Sequence, residues 1–418
     1  MHSHSRPQTS SHSHQHSHSH GEGCASGGRH PSNDNSDCEE NEQEAEANAL
    51  MDVVAAFLSY KTFILNGGIY RRLHDIDQLS ERHRDIVSSL GTIDKIKSAE
   101  KLVRENYKFL LDLVYLSAVG EMPDPSDSSG DFKQWHKSFV ESRVRAGKTI
   151  VKNSFMEKVL STLKQFVRDW SAEGKSEREQ TYGPIMQALE AEFAGIAPEA
   201  RGGIKVLVPG AGLGRLAFDI CCRGFSCQGN EFSYFMLFAS NFILNKSRVV
   251  NQHTIYPFVH QFSNVATASD QLRAVCIPDV LPNEMPYTNT ADFSMSAGDF
   301  IDIYGADDQK EKWDAIVTCF FMDTANNVLA YLDTMWSAMK PGAVWINLGP
   351  LLWHFDNIEG ESSIELTREE FIKIVSKVGF VMDEHLLKEN ISVSYTTNSK
   401  SMLQYTYHTF MCVARKPE

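Results

Sequence analysis

Lys205-Val206-Leu207-Val208-Pro209-Gly210-Ala211-Gly212-Leu213-Gly214-Arg215-Leu216 decides the fold. An apolar strand runs into a glycine-rich turn, and the turn opens a helix. Glycine permits positive φ and lets a ligand approach the backbone closely. An open α/β sheet binds nucleotide-like ligands in this way, at the carboxyl ends of its strands. The spacing is G-x-G-x-G, which differs from the dinucleotide fingerprint G-x-G-x-x-G. Working outward, Gly229-Asn230-Glu231 ends the next predicted strand, 21 residues after Gly210. A carboxylate there can accept from both hydroxyls of a ribose. Asp299, in Ala297-Gly298-Asp299-Phe300, follows a third strand. It is placed to accept from an adenine amine while Phe300 packs on the ring. Taken singly, each carboxylate reads as a solvated loop residue. In order after three successive strands, they read as a ligand site.

The surrounding pattern supports this frame. Strands are expected at 204–208, 226–230, 293–297, 313–321, 343–348, 380–387 and 405–414. Helices are expected between them at 213–223, 235–245, 328–339 and 368–378. The alternation implies a parallel sheet covered on both faces, an α/β, Rossmann-like architecture. The last two β-rich runs follow the final helix and form an antiparallel pair. That closure is the class I methyltransferase topology, where a dehydrogenase would want a second βαβ half.

An N-terminal helical region precedes the sheet. Leu50, Val53, Val54, Phe57 and Leu58 recur at helical spacing. The pattern continues to about residue 118 and reads as a packing bundle. A flexible linker is expected near 120–152, its later part a basic loop or solvated helix face. Helical patterning resumes at 154–172 and 177–193. Residues 1–48 alternate His and Ser and then turn acidic, a composition that buries little apolar surface and predicts a disordered tail. The His run could chelate a transition metal, but it reads better as solvated chain. The organisation is therefore a tail over 1–48, a helical region over 49–200 and a catalytic domain over 201–418.

Composition bounds the function. The net charge of −14 disfavours nucleic acid, whose phosphates attract Lys and Arg, and an anionic membrane surface. A small or cationic substrate fits better. No apolar run is expected to reach the roughly 18–20 residues of a spanning helix, and the N-terminus has no apolar signal-peptide core. The eight cysteines form no C-x-x-C pair and read as reduced thiols of a cytosolic or nuclear protein.

Several motifs resemble the carnosine N-methyltransferases. They run from Ser161-Thr162-Leu163-Lys164-Gln165-Phe166-Val167-Arg168-Asp169-Trp170 to Arg415-Lys416-Pro417. Between these lie Val208-Pro209-Gly210-Ala211-Gly212-Leu213-Gly214-Arg215-Leu216, Gln228-Gly229-Asn230-Glu231 and His260-Gln261-Phe262-Ser263-Asn264. Thr318-Cys319-Phe320-Phe321-Met322-Asp323-Thr324-Ala325 and Trp345-Ile346-Asn347-Leu348-Gly349-Pro350 complete the set. Trp353 stands where the family has Tyr, and Thr406 interrupts a run of tyrosines. The chain is also slightly longer than the family pattern between Phe380 and Tyr395.

The resemblance implies methyl transfer from S-adenosyl-L-methionine to an imidazole nitrogen of carnosine, giving anserine. It further implies a homodimer in cytosol and nucleus. It assigns a donor site of Gln165, Arg168, Gly210, Gly212, Glu231, Asp299, Phe300 and Cys319. It assigns an acceptor site of Asp323, His354, Tyr395, Tyr405 and Tyr407, with Asp323 and His354 catalytic. Gln165 and Arg168, three apart on a helix, share a face. Arg168 could meet the donor's carboxylate, or pair blandly at the surface with Asp169 or Asp219. Asp323 could instead cap a helix starting near Ala325. Tyr405 and Tyr407, two apart, would share a strand face. Each tyrosine alone reads as a packed aromatic, and Cys319 as a wall. No metal is required, because a sulfonium donor is already electrophilic. Two alternatives remain: methylation of histidine in other peptides or proteins, and a non-catalytic donor-binding scaffold.

Overall fold

The structure is a computed structural model describing residues 35–117, 122–127, 129–145, 151–287 and 290–418, with side chains from residue 44. Helices precede the sheet: α1 Asn35–Ile64, α2 Arg71–Asp77, α3 Glu81–Ser89, α4 Thr92–Ser117, α5 Asp131–Arg145, α6 Asn153–Trp170 and α7 Lys175–Glu192. A π-helical segment, Leu65–Tyr70, joins α1 to α2. Strands and helices then alternate through β1 Lys205–Pro209, α8 Arg215–Cys221, β2 Ser226–Glu231, α9 Tyr234–Lys246, β3 His253–Ile255, α10 Ala268–Gln271 and β4 Val275–Ile277. They continue with β5 Phe293–Ala297, α11 Phe300–Tyr304, β6 Trp313–Cys319, α12 Val328–Ala338, β7 Met339–Gly349, α13 Arg368–Val378, β8 Val381–Met382, β9 Lys388–Val393 and β10 Tyr407–Arg415.

The main sheet has the order β5-β2-β1-β6-β7-β10-β8, with β9 also on β10. Its first five strands are parallel, and β10 runs antiparallel to β7, β8 and β9. The order reverses beside β1, the position where open α/β sheets leave a crevice for ligand. Because β10 is antiparallel, its first residues lie at the carboxyl ends of the parallel strands, as the pairing of Phe410 with Gly349 records.

Alternation along β1 serves both faces of the sheet. Val206 and Val208 pack with Ile185 and Leu189 of α7 and Ile220 of α8. Leu207 packs with Leu332 and Met335 of α12 and Phe371 of α13. A third core joins α1, α4 and α6 to α9 and the β3–β4 hairpin, so it crosses the expected boundary at residue 200. The buried Asn106 of α4 ties that core together, donating to Tyr60 Oη at 3.0 Å and to the Tyr256 carbonyl at 2.9 Å.

The structure departs from the sequence reading in the N-terminal region. Helix α1 begins at Asn35, inside the expected tail, because a Glu- and Ala-rich run propagates back from a segment whose Val53, Val54 and Phe57 are anchored in the core. The remainder of that tail, the His run included, lies outside the described residues. The expected linker contains α5, held by Arg143, which pairs with Asp52 of α1 at 2.6 Å. The stretch Glu44–Asp77 carries a window of mean hydropathy 1.3, long and apolar enough to cross a membrane. The reading of no such run was too strict. Half of that window is buried, with Val53, Phe57 and Tyr60 inside the bundle core.

Candidate functional site

A cavity of about 480 Å³ opens at the carboxyl ends of the parallel strands. It is lined by every expected site residue except Tyr405.

Its donor side begins at the glycine loop. Gly210, Gly212 and Gly214 have φ of +65°, +56° and +80°. A Cβ on Gly210 would come within 2.6 Å of the Phe321 ring, so close packing as well as dihedral angle demands glycine. A Cβ on Gly212 would lie 3.5 Å from Gln165 Nε2, which places α6 beside the loop. At the end of β2, Glu231 accepts from the Gly212 N–H at 2.8 Å. It also accepts from the N–H groups of Phe232 and Ser233 at 3.0 and 2.8 Å. Burial pushes its pKa up, and these three donors oppose the rise. An ionised carboxylate offers about four acceptor positions, so capacity remains for a ribose hydroxyl. The loop and its acidic partner thus form one hydrogen-bonded cradle that fits a nucleoside.

Asp299 caps α11, its Oδ1 accepting from the N–H groups of Ile301 at 2.7 Å and Asp302 at 3.3 Å. Phe300 is buried against Phe321 and Tyr331, with centroids 5.4 and 5.3 Å away. The three rings form an aromatic wall on this side. Burial pushes the Cys319 thiol up to about 11, which keeps it protonated and suits a wall rather than a nucleophile.

Arg168 is more crowded than the sequence suggests. Its Nη1 donates to Asp169 Oδ1 at 2.8 Å and to Tyr182 Oη at 2.6 Å, and its Nε lies 3.0 Å from Glu177 Oε1. The guanidinium sits 4.8 Å from the Tyr182 ring and 4.7 Å from the Tyr395 ring. The pairing with Asp169 is present, but buried instead of superficial. Asp219 pairs with Arg215 at 2.9 Å. Two carboxylates already neutralise Arg168, so a donor carboxylate would meet it as a third.

On the acceptor side, Asp323 is 3% exposed just beyond β6. The N–H of Leu352 donates to its Oδ2 at 2.9 Å, and the N–H of His354 donates to its carbonyl at 3.0 Å. Asp323 therefore anchors the loop that carries His354. Burial pushes its carboxyl up to about 7. It caps no helix: α12 starts at Val328 and is capped by Asn327. Tyr395 stacks on Phe320 with centroids 4.5 Å apart, and Tyr407 meets the same ring edge-on at 5.5 Å. Tyr405 is the misplaced member. It lies before β10 starts at Tyr407, where strand alternation no longer applies, and it is 56% exposed.

Sequence reasoning missed the elements that close this side. The segment after β9 is pinned onto α7. Thr396 and Thr397 N–H groups donate to the Glu177 carboxylate at 2.7 and 3.2 Å, and Ser394 N–H donates to Gln180 at 2.9 Å. Phe320 was also missed as a site residue. Its only signal was its place in the quoted motif.

The strand order, the glycine cradle and a second carboxylate facing one cavity define an S-adenosylmethionine-dependent methyltransferase with the class I sheet. The family model described as "Carnosine N-methyltransferase" matches residues 146–418. The chain belongs to the carnosine N-methyltransferase family. It is 47% identical over 276 residues to the carnosine N-methyltransferase of Mus musculus, covering 65% of this chain and 66% of that one, just under two thirds of its length. The fission yeast relative of the same name, from Schizosaccharomyces pombe, is 37% identical over 379 residues, covering 88% of this chain and 95% of that one. Among solved structures, an S-adenosylmethionine-dependent methyltransferase from Archaeoglobus fulgidus is 11% identical, with 56% of this chain and 93% of that chain covered, at a TM-score of 0.32. An arsenic(III) methyltransferase from Chlamydomonas reinhardtii is 15% identical, with 52% and 64% covered, at a TM-score of 0.30. At such scores the fold rests on the strand order above.

Proposed function

We propose that this chain transfers a methyl group from S-adenosylmethionine to an imidazole nitrogen of carnosine, giving anserine. The observation that carries the reading is Asp323, a buried carboxyl opening onto the cavity that also holds the Gly210–Gly212–Glu231 cradle. Bound in that cradle, the donor supplies an electrophilic methyl group on a sulfonium. Glu231 would receive a ribose hydroxyl, Asp299 and the Phe300 wall would flank the base, and Gln165 and Cys319 would border the donor's amino-acid end. As a carboxylate, Asp323 accepts the N–H of one ring nitrogen, fixing the tautomer and leaving the other lone pair free to attack. Positive charge then grows on the ring, and the same carboxylate stabilises it where it develops. A pKa near 7 suits a group working at that pH. His354, held by Asp323 through its backbone, and Tyr407 border the ring, while Tyr395 and the pinned lid keep water out.

The test is a methyl-transfer assay with carnosine beside a panel of peptides with internal histidine. Methylation of carnosine at an imidazole nitrogen supports the reading. Turnover of the internal-histidine peptides alone replaces the substrate, and donor binding with no turnover leaves a scaffold. The same reading extends to a homodimer working in cytosol and nucleus. Six free thiols among the described residues fit a reducing compartment.

A further inference from the structure

Behind the lid lies a second, smaller cavity of about 190 Å³, and it shares Lys164, Arg168 and Thr396 with the main one. Four charged side chains line it: Lys164, Arg168, Glu173 and Glu177. Three of them are already matched. Arg168 is held by Asp169 and Glu177, and Glu173 pairs with Arg273 at 2.6 Å. Glu177 additionally receives two lid N–H groups. Lys164 is left over. Among the described residues, no carboxylate comes within ion-pairing distance of its ammonium, which donates no hydrogen bond. The ammonium acts on His260, which burial and then this charge hold down at about 3 and therefore neutral, so that ring offers it no counter-charge. Burial also pulls the pKa of Lys164 down, as expected of a desolvated cation lacking a counter-ion.

An uncompensated ammonium at the junction of two cavities calls for an anion. Both substrates of the proposed reaction carry a carboxylate, so position must decide between them. Gln165 and Asp169 are the α6 residues that face the glycine loop, where a Cβ on Gly212 would meet both of them. Lys164 precedes Gln165 and is turned about 100° around the helix from it. That turn takes it away from the loop and toward Thr396 and Gln404 of the lid.

We propose that Lys164 is a specificity residue that binds the carboxylate of the acceptor dipeptide, and so selects histidine carrying a free carboxyl terminus over histidine inside a chain. The inference rests on the methyl-transfer reading above and deepens it. Lys164 takes no part in the chemistry. It would hold one end of the acceptor while Asp323 holds the ring at the other.

The experiment compares kcat/KM for carnosine with that for its carboxamide, β-alanyl-histidinamide, which has the same imidazole and no carboxylate. Wild type should prefer carnosine by roughly ten- to a hundredfold, the value of one hydrogen bond to a charged group. In Lys164→Met, which keeps the chain length and loses the charge, that ratio should collapse toward one, chiefly through the KM for carnosine. Lys164→Arg should restore much of it. Lys164→Met removes an unpaired, largely buried charge, so its melting temperature should not fall, which guards against a folding artefact. A ratio unchanged in Lys164→Met overturns the proposal. So does a rise in the KM for S-adenosylmethionine with the ratio intact, which would give Lys164 to the donor's carboxylate instead. Failure of wild type to methylate carnosine at all would sink the underlying reading, a result distinct from either.

Discussion

Replacing Asp323 by Asn separates function from stability in opposite directions. The carboxyl is buried and is pushed from 3.8 up to about 7. Its folded pKa is raised, so folding favours the protonated form. That contribution is fully present below about pH 3.8 and is lost as pH rises through about 7. At about 1.4 kcal/mol for each pH unit, the ionised residue costs the fold on the order of 4 kcal/mol at pH 8. Asn has nearly the same shape, accepts the Leu352 N–H in the same way, and cannot ionise. Even a quarter of the cost, about 1 kcal/mol, moves the melting temperature of a domain of about 200 residues by about 2–4 °C. Asp323→Asn should therefore melt higher than wild type at pH 8, with the gap narrowing steadily toward pH 4. Methyl transfer should fall on the order of 10²–10⁴-fold, the usual cost of losing a positioned base or tautomer control. Donor binding by calorimetry should be unchanged. A melting difference that is the same at pH 4.5 and pH 8 would refute the electrostatic argument. Near-normal turnover would pass the orienting role to His354 or a tyrosine.

Four further outcomes follow from the geometry. Glu231→Ala should raise the KM for S-adenosylmethionine on the order of tenfold or more, because the ribose and the Gly212 N–H lose one charged acceptor; an unchanged KM removes Glu231 from the site. Gly210→Ala should lower both the melting temperature and donor affinity, since the new methyl meets Phe321 at 2.6 Å and φ is +65°; wild-type behaviour in calorimetry would show that the loop yields freely. Glu177→Ala should release Thr396 and Thr397 and raise the KM for the acceptor more than that for the donor, with faster proteolytic cleavage within 394–406 as the physical readout. A chain starting at residue 35 should keep kcat within about twofold, because the removed composition buries little apolar surface; a large loss with the fold intact would contradict that.

The donor half was legible because its signals are local. Glycine loop, Glu231 and Asp299 each sit at or just beyond the end of a strand, and strand ends are set by short apolar runs. Helix α13 and strand β5 fall where periodicity puts them. The acceptor half depends on contacts distant in sequence. Glu177 and Gln180 hold a lid more than two hundred residues away, with separations of 219 and 214, and no periodicity encodes such a pairing. Tyr405 failed for a related reason. Alternation holds only inside a strand, and β10 starts two residues later than its β-rich composition suggests. The three-residue strands β3 and β4 were invisible because they are shorter than any pattern window.

How one strand end serves both halves of the site follows from its backbone. A regular continuation of β6 would send successive side chains to opposite faces of the sheet. Instead Phe320, directly after β6, takes φ of +55°, a left-handed conformation that costs an aromatic residue on the order of 1–3 kcal/mol. Two contacts hold it there. Its N–H donates to the Leu348 carbonyl at 2.9 Å, and Gly349 leaves room, since a Cβ would press to 3.2 Å on the Phe320 nitrogen. The turn re-aims the chain. Cys319 borders Arg168, Phe320 supports Tyr395 of the lid, Phe321 joins the wall with Phe300 and Tyr331, and Asp323 lines the same cavity. Four of the five residues from 319 to 323 thus line one cavity from a single strand end, while Met322 turns into the core. The strain ends β6 at Cys319, two residues short of the strand expected over 313–321, and turns the residues that follow toward the cavity.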